Sequence, residues 1–158
     1  MKFHPYQKMR KDVPQWVFDC VPEAWTFTMD HWNYHPETIT IPPIRFSYNA
    51  RFAKFSHGNP RYFNGIPHIR FVKRSKRWYT YKKKTAGMYA DGIICPSKQV
   101  RLKISMVHEF THAIQWYEKE TLNMDRVMSE VETTETEIAY VKSHYPELYN
   151  QLKRFDNG

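Results

Sequence analysis

In Met106-Val-His-Glu-Phe-Thr-His-Ala-Ile-Gln115, two histidines stand four residues apart, with a glutamate directly after the first. Around them Val107, Phe110, Ile114 and Tyr117 recur at helical spacing, and Leu102, Met106 and Ala113 widen the same apolar stripe. Ser97 supplies an N-cap, so a helix is expected from there to about Glu120. Residues four apart on a helix sit one turn above each other, which brings the imidazoles of His108 and His112 onto one face, converging on a point. A zinc ion fits there, at about 2.0 to 2.1 Å from each nitrogen. Glu109 reaches the same face but is displaced from the metal, so it is expected to address a zinc-bound water as general base.

A catalytic zinc takes a third protein ligand and keeps one position open for water. A histidine six residues beyond His112 would be residue 118, where Glu118 stands, so the third ligand is sought further on. After a loop at Thr121 to Asp125, a second helix is expected from about Arg126 to Ser143, with Val127, Val131, Ile138 and Val141 as its apolar face. It offers Glu130, Glu132, Glu135 and Glu137. For at least two of these a solvated helical face is the whole explanation. Pro146 is expected to start a short last helix through Leu152.

The stretch Met106 to Gln115 resembles the active-site helix of zincins, and Ser129-Glu-Val-Glu-Thr-Thr-Glu-Thr-Glu-Ile-Ala139 is similar to the glutamate helix of their gluzincin branch. The resemblance covers roughly residues 86 to 142. It implies an α+β zincin-like domain, with a small antiparallel or mixed sheet packed on the active-site helix and the glutamate helix behind. The thermolysin-like spacing places nineteen residues between the second histidine and the ligand glutamate, which here points to Glu132, with Glu135 as runner-up. That family has an aspartate four residues after its ligand, whereas Thr136 follows Glu132, so His108 is expected to find its outer hydrogen bond elsewhere, for instance at Glu135. Such enzymes add a Tyr, His or Arg donor for the oxyanion, making Tyr140 and His144 the candidates. Gly87 to Cys95 would match the edge strand that aligns an extended substrate.

The rest of the chain is expected to complete a single domain over residues 1–158. Prolines break residues 1–37 into short pieces, with helices expected after Pro14 and around Pro22. Residues 38–96 are β-rich and basic, with strands expected at Thr38 to Ile41, Ile69 to Val72 and Trp78 to Tyr81. A hairpin is expected to turn at Asp91-Gly92. Residues 97–158 are helical and carry the metal site.

Net charge is +8. Between Thr38 and Ala90 stand twelve cations and no Asp or Glu, while residues 118–137 are mainly acidic. Within the basic 45–84 segment, Arg70 to Lys84 interleaves cations with aromatics, the composition that grips phosphates and stacks bases. A two-faced sheet with its charges in water accounts for the same letters, as does a surface that attracts an acidic protein substrate. Cys20 and Cys95 are too few for a disulfide framework and are expected as free thiols in a reducing compartment. No apolar run approaches a membrane span or a signal core, so a cytoplasmic protein with no membrane partner is expected.

The function implied is a zinc-dependent metalloendopeptidase acting on a protein or peptide. Two rivals stand beside it. A nucleic-acid-binding protein with structural zinc would need a fourth ligand from Cys20, Cys95 or His144. A former peptidase kept as a binding module would hold metal without turnover. A protease acting on DNA-associated proteins, as in the SprT group, would join the two activities, but those enzymes generally use a third His.

Overall fold

The computed structural model describes residues 1–9, 13–47, 53–56, 61, 63–72, 80–81, 84–85, 88–89, 93–118 and 126–156. Helix α1 spans Gln15–Asp19 and α2 spans Val21–His31, with Pro22 in its first turn, where the missing N–H costs nothing. Strands β1 (Ile44–Ser47), β2 (Lys54–Ser56) and β3 (His68–Val72) form a mixed sheet in the order β1-β3-β2. β1 and β3 run parallel, while β2 runs antiparallel to β3. Short strands β4 (Thr80–Tyr81), β5 (Lys84–Thr85), β6 (Met88–Tyr89) and β7 (Ile93–Ile94) follow. Helices α3 (Lys98–Glu118), α4 (Arg126–His144) and α5 (Pro146–Asp156) complete an α+β architecture. Among the described residues, no helix is long and apolar enough to cross a membrane.

Helix α3 is the centre of the packing. Ser97 caps it, its hydroxyl accepting from the Val100 N–H at 3.2 Å. The sheet packs on one side of it, α2 and α4 on others. The parallel register sets Ile44 beside Ile69 and Phe46 beside Phe71, which puts four apolar side chains on the face toward the core. Phe110 of α3 meets them edge-on, 6.5 Å from Phe71 and 5.0 Å from Trp25 of α2. Val107, Phe110 and Ile114 are fully buried, but Tyr117 leaves the stripe and is 51% exposed.

Thr38 to Ile41 is not a strand. Only Ile41 bridges Phe3, and Pro42-Pro43, lacking N–H donors, end any ladder there. The hairpin also differs from expectation. β6 pairs with β5 and β7 with β4, so Met88–Tyr89 and Ile93–Ile94 do not pair across Asp91-Gly92. The two pairs nest in sequence, and Ala86-Gly87 separates the innermost strands. Residues 73–79, 82–83, 86–87 and 90–92 lie outside the described set, and with them half of the cations of the basic segment and the Asp91-Gly92 dipeptide.

A polar clamp ties the helices together. Glu23 of α2 accepts from the Tyr140 hydroxyl of α4, from Tyr145 at 3.3 Å, and pairs with Lys103 of α3 at 3.2 Å. Burial pushes the Glu23 carboxyl up, but the bonds from Tyr140 and Lys103 outweigh it and hold the group below its ordinary 4.5. A carboxyl lowered on folding stabilises above its unfolded value, and that stabilisation is lost as pH falls through the folded value. The difference in Tm between wild type and Glu23→Gln should therefore be full at pH 7 and shrink on acidification below about pH 4.5, a trend thermal melts across pH will read.

Candidate metal centre

Helices α3 and α4 lie side by side, and the site is strung along their contact. His108 and His112, one turn apart on α3, have ring centroids 5.1 Å apart. Both Nε2 atoms face one carboxylate, that of Glu130. His108 Nε2 lies 3.4 Å from Glu130 Oε2 and His112 Nε2 lies 3.2 Å from Glu130 Oε1. Their ligand atoms all fall within 4.8 Å of one another. A tetrahedral ion with bonds of about 2.0 to 2.1 Å has ligand-to-ligand edges of about 3.3 to 3.4 Å, so these separations suit one small cation held between the three side chains.

The ligand glutamate expected from sequence is Glu132, but the glutamate the structure brings to the two histidines is Glu130. Successive helical residues turn by about 100°, so residue 132 points about 200° away from 130 and residue 135 about 140° away. Neither can share the face of Glu130. Glu132 instead has a buried Oε1 and feels the charges of Glu118 and Glu135, and burial first, then those charges, raise its carboxyl above the ordinary value. Residue 137, two turns on, returns to within about 20° of 130.

Glu137 Oε1 lies 3.3 Å from His108 Nδ1, supplying the outer hydrogen bond that had been assigned to Glu135. Burial pushes the Glu137 carboxyl up to about 8. A cation on Nε2 fixes the proton on Nδ1 and favours the ionised, accepting form of Glu137. His112 Nδ1 is held by Gln115 Oε1 at 2.9 Å. Thus each ring has its Nδ1 engaged by an oxygen and its Nε2 turned to the same point. Burial opposes a charge on His112, but the Glu130 hydrogen bond and the Glu109 and Glu130 charges outweigh it and hold its pKa above the ordinary range. Hydrogen bonds with His108 and then His112 hold the half-exposed Glu130 carboxyl far below its own range.

Glu109 is only 6% exposed, and its Oε2 is buried with no protein partner. Burial raises its pKa, partly offset by the His108 and His112 charges and by a backbone hydrogen bond from Phe55. That bond sets β2 beside the site, a position sequence reading had given to Gly87 to Cys95. A buried carboxylate oxygen next to a cation position, with its second oxygen anchored, is suited to a water molecule.

Tyr140 does not join this group. It lies ten residues beyond Glu130, about 15 Å along the helix, with its hydroxyl buried on Glu23. His144 is exposed and its ring lies tilted against Tyr140, with centroids 4.7 Å apart. Cys20 and Cys95 are free and buried, their thiols pushed up to about 11 by burial. Cys20 Sγ donates to Trp16 O at 3.3 Å, and Cys95 packs in a second apolar cluster with Val141 and Leu148. Among the described residues, the group with metal-ligand geometry is His108, His112 and Glu130, with no thiol in it. Compared with models of known protein families, with curated proteins and with solved structures, this chain matches none.

Proposed function

We propose that this protein is a zinc-dependent peptidase of zincin-like build, with His108, His112 and Glu130 holding the metal and Glu109 as general base. One observation carries the reading: two imidazoles and one carboxylate surround a single point while a buried carboxylate with an orphaned oxygen stands beside it. Among the described residues three side chains surround that point, and three protein ligands with a fourth position left open are the pattern of catalytic rather than structural zinc. Zinc, when bound, supplies a Lewis acid that polarises a carbonyl and eases the loss of a proton from water. Glu109 takes that proton as the water attacks and delivers it to the leaving amine. Its burial raises its proton affinity, which suits both transfers. An extended peptide laid along β2, an end strand of its sheet, would bring a carbonyl to Glu109.

The test is incubation of the zinc-loaded protein with a denatured protein mixture, reading new amino termini by mass spectrometry. Cleavage that a chelator stops and added zinc restores is the expected result. Metal binding without any cleavage would favour a binding module. Protons compete with the cation for His112, and the ionised form of Glu137 is the stronger acceptor for His108. Apparent zinc affinity should therefore rise steadily from about pH 6 to 8, as calorimetry at several pH values will show; a flat profile would contradict this ligand set.

A second reading, nucleic-acid binding, is favoured by the row Arg45, Arg70 and Lys54, which the register sets abreast across the three-stranded sheet, on the face opposite Ile44, Ile69 and Phe55. It predicts salt-sensitive binding of single-stranded DNA by fluorescence anisotropy, weakened in Lys54→Gln. No binding at low salt would exclude it.

A further inference from the structure

Resting on the metal site just proposed, we infer that Gln115 and Ser129 form a latch that sets the tautomer of His112 and the position of Glu130. Gln115 is fully buried on α3, one turn beyond His112. Ser129 sits in the first turns of α4, directly before Glu130. The two make a reciprocal pair: Gln115 Nε2 donates to the Ser129 backbone oxygen at 3.2 Å, and Ser129 Oγ donates to Gln115 Oε1 at 2.7 Å. The same Oε1 meets His112 Nδ1 at 2.9 Å.

The hydrogen-bond roles follow from one group that has no choice. A backbone carbonyl only accepts, so the Gln115 amide must turn its NH₂ toward the Ser129 oxygen; the flipped amide would set two acceptors against each other. Oε1 then faces His112, and since a carbonyl oxygen cannot donate, the His112 proton must sit on Nδ1. In the neutral ring, the form that can ligate a metal, the lone pair is then left on Nε2, toward Glu130 and the cation position. Ser129 Oγ, 3.5 Å from the same Nδ1, gives its proton to Oε1 and competes only weakly for the ring. Because Ser129 is bonded to Glu130, the pair also fixes where the α4 backbone delivers the ligand carboxylate, before any metal arrives. Gln115 and Ser129 are positioning residues. They touch neither the cation position nor a substrate.

The two histidines are thus held by unlike arms, one a carboxyl and one a neutral amide. His108 is oriented by the Glu137 carboxylate, His112 by an amide whose direction a main-chain carbonyl dictates.

The test uses the full chain, with zinc affinity by competition against a chromophoric chelator and the His112 tautomer by nitrogen-15 NMR of the metal-free protein at alkaline pH, where the ring is neutral. Gln115→Leu, close in volume, should lower zinc affinity by about 10- to 100-fold and release His112 from the Nδ1–H form. Gln115→Glu, which can still accept from Nδ1 but sets an oxygen against the Ser129 carbonyl, should keep the tautomer and recover the affinity only in part. Ser129→Ala should lower affinity less, and in the double variant with Gln115→Leu the losses should not add. Should Gln115→Leu misfold, Ser129→Ala carries the test alone against its rescue by Ser129→Thr. A Gln115→Leu protein that binds zinc like wild type with an unchanged tautomer overturns the latch and leaves the metal site standing. A wild-type protein that binds no zinc overturns both.

Discussion

Glu109→Gln is expected to keep zinc at wild-type stoichiometry and to lower peptide cleavage by about 10²- to 10⁴-fold, the range general-base catalysis contributes. The substitution keeps the size and the hydrogen-bonding outline of a side chain that is 6% exposed, so the core around Phe110 and the two histidines should remain in place. What it removes is a site that can hold a proton. The carboxylate is buried, which raises its proton affinity above that of an ordinary carboxylate. One oxygen is anchored by the Phe55 backbone, and the other has no protein partner. An amide there offers a donor or a weak acceptor but no base. Parallel measurement of metal content and of turnover decides the matter: cleavage unchanged in the variant would give the base role to another group, and loss of zinc along with activity would make Glu109 a ligand.

Glu130→Ala is expected to abolish tight zinc binding, while Glu132→Ala leaves it within a few-fold of wild type. Glu130 supplies the one carboxylate that faces both Nε2 atoms. Replacing an outer hydrogen-bond partner costs about 10- to 100-fold in metal affinity, so loss of a ligand should exceed about 100-fold. Glu132 points to the opposite side of α4, toward Glu118 and Glu135, and removing it relieves repulsion among acids instead. Zinc titration of both variants gives the comparison directly. Equal loss in the two would mean that the acidic helix acts by overall charge, and loss in Glu132→Ala alone would restore the thermolysin-like spacing.

The metal helix was legible because its signals agree. Ser97, the Val107, Phe110 and Ile114 stripe, and the two histidines one turn apart all specify one helix in one phase, and α3 has that phase. The neighbouring helix was legible in extent but not in rotation. Sequence reading takes Val127, Val131, Ile138 and Val141 as its apolar face; Val141 is buried, yet Val131 is 42% exposed, and the other buried positions among the described residues are Thr133, Thr136 and Tyr140. Threonines conceal burial well. Thr133 Oγ1 donates to the Glu130 carbonyl and Thr136 Oγ1 to the Glu132 carbonyl, so each satisfies its hydroxyl within its own helix and packs a methyl inward. A two-turn pair of acids, Glu130 and Glu137, framing Thr133 was the available clue, and it outweighs a family spacing that loop length can change. The Gln115 and Ser129 partnership joins residues fourteen apart on two helices and had no local signature. Sheet pairing was missed for the same reason. β-rich segments announce strands, but the order β1-β3-β2 and the nesting of β4 with β7 are decided by long-range contacts.

X-ray absorption on the zinc-loaded wild-type protein reaches the central assignment most directly, because it reads the atoms around the metal without a substrate. One zinc per chain is expected, with a first shell of nitrogen and oxygen at about 2.0 to 2.1 Å and the outer scattering of two imidazoles. Sulfur at about 2.3 Å, a single imidazole, or a protein that retains no zinc would contradict it.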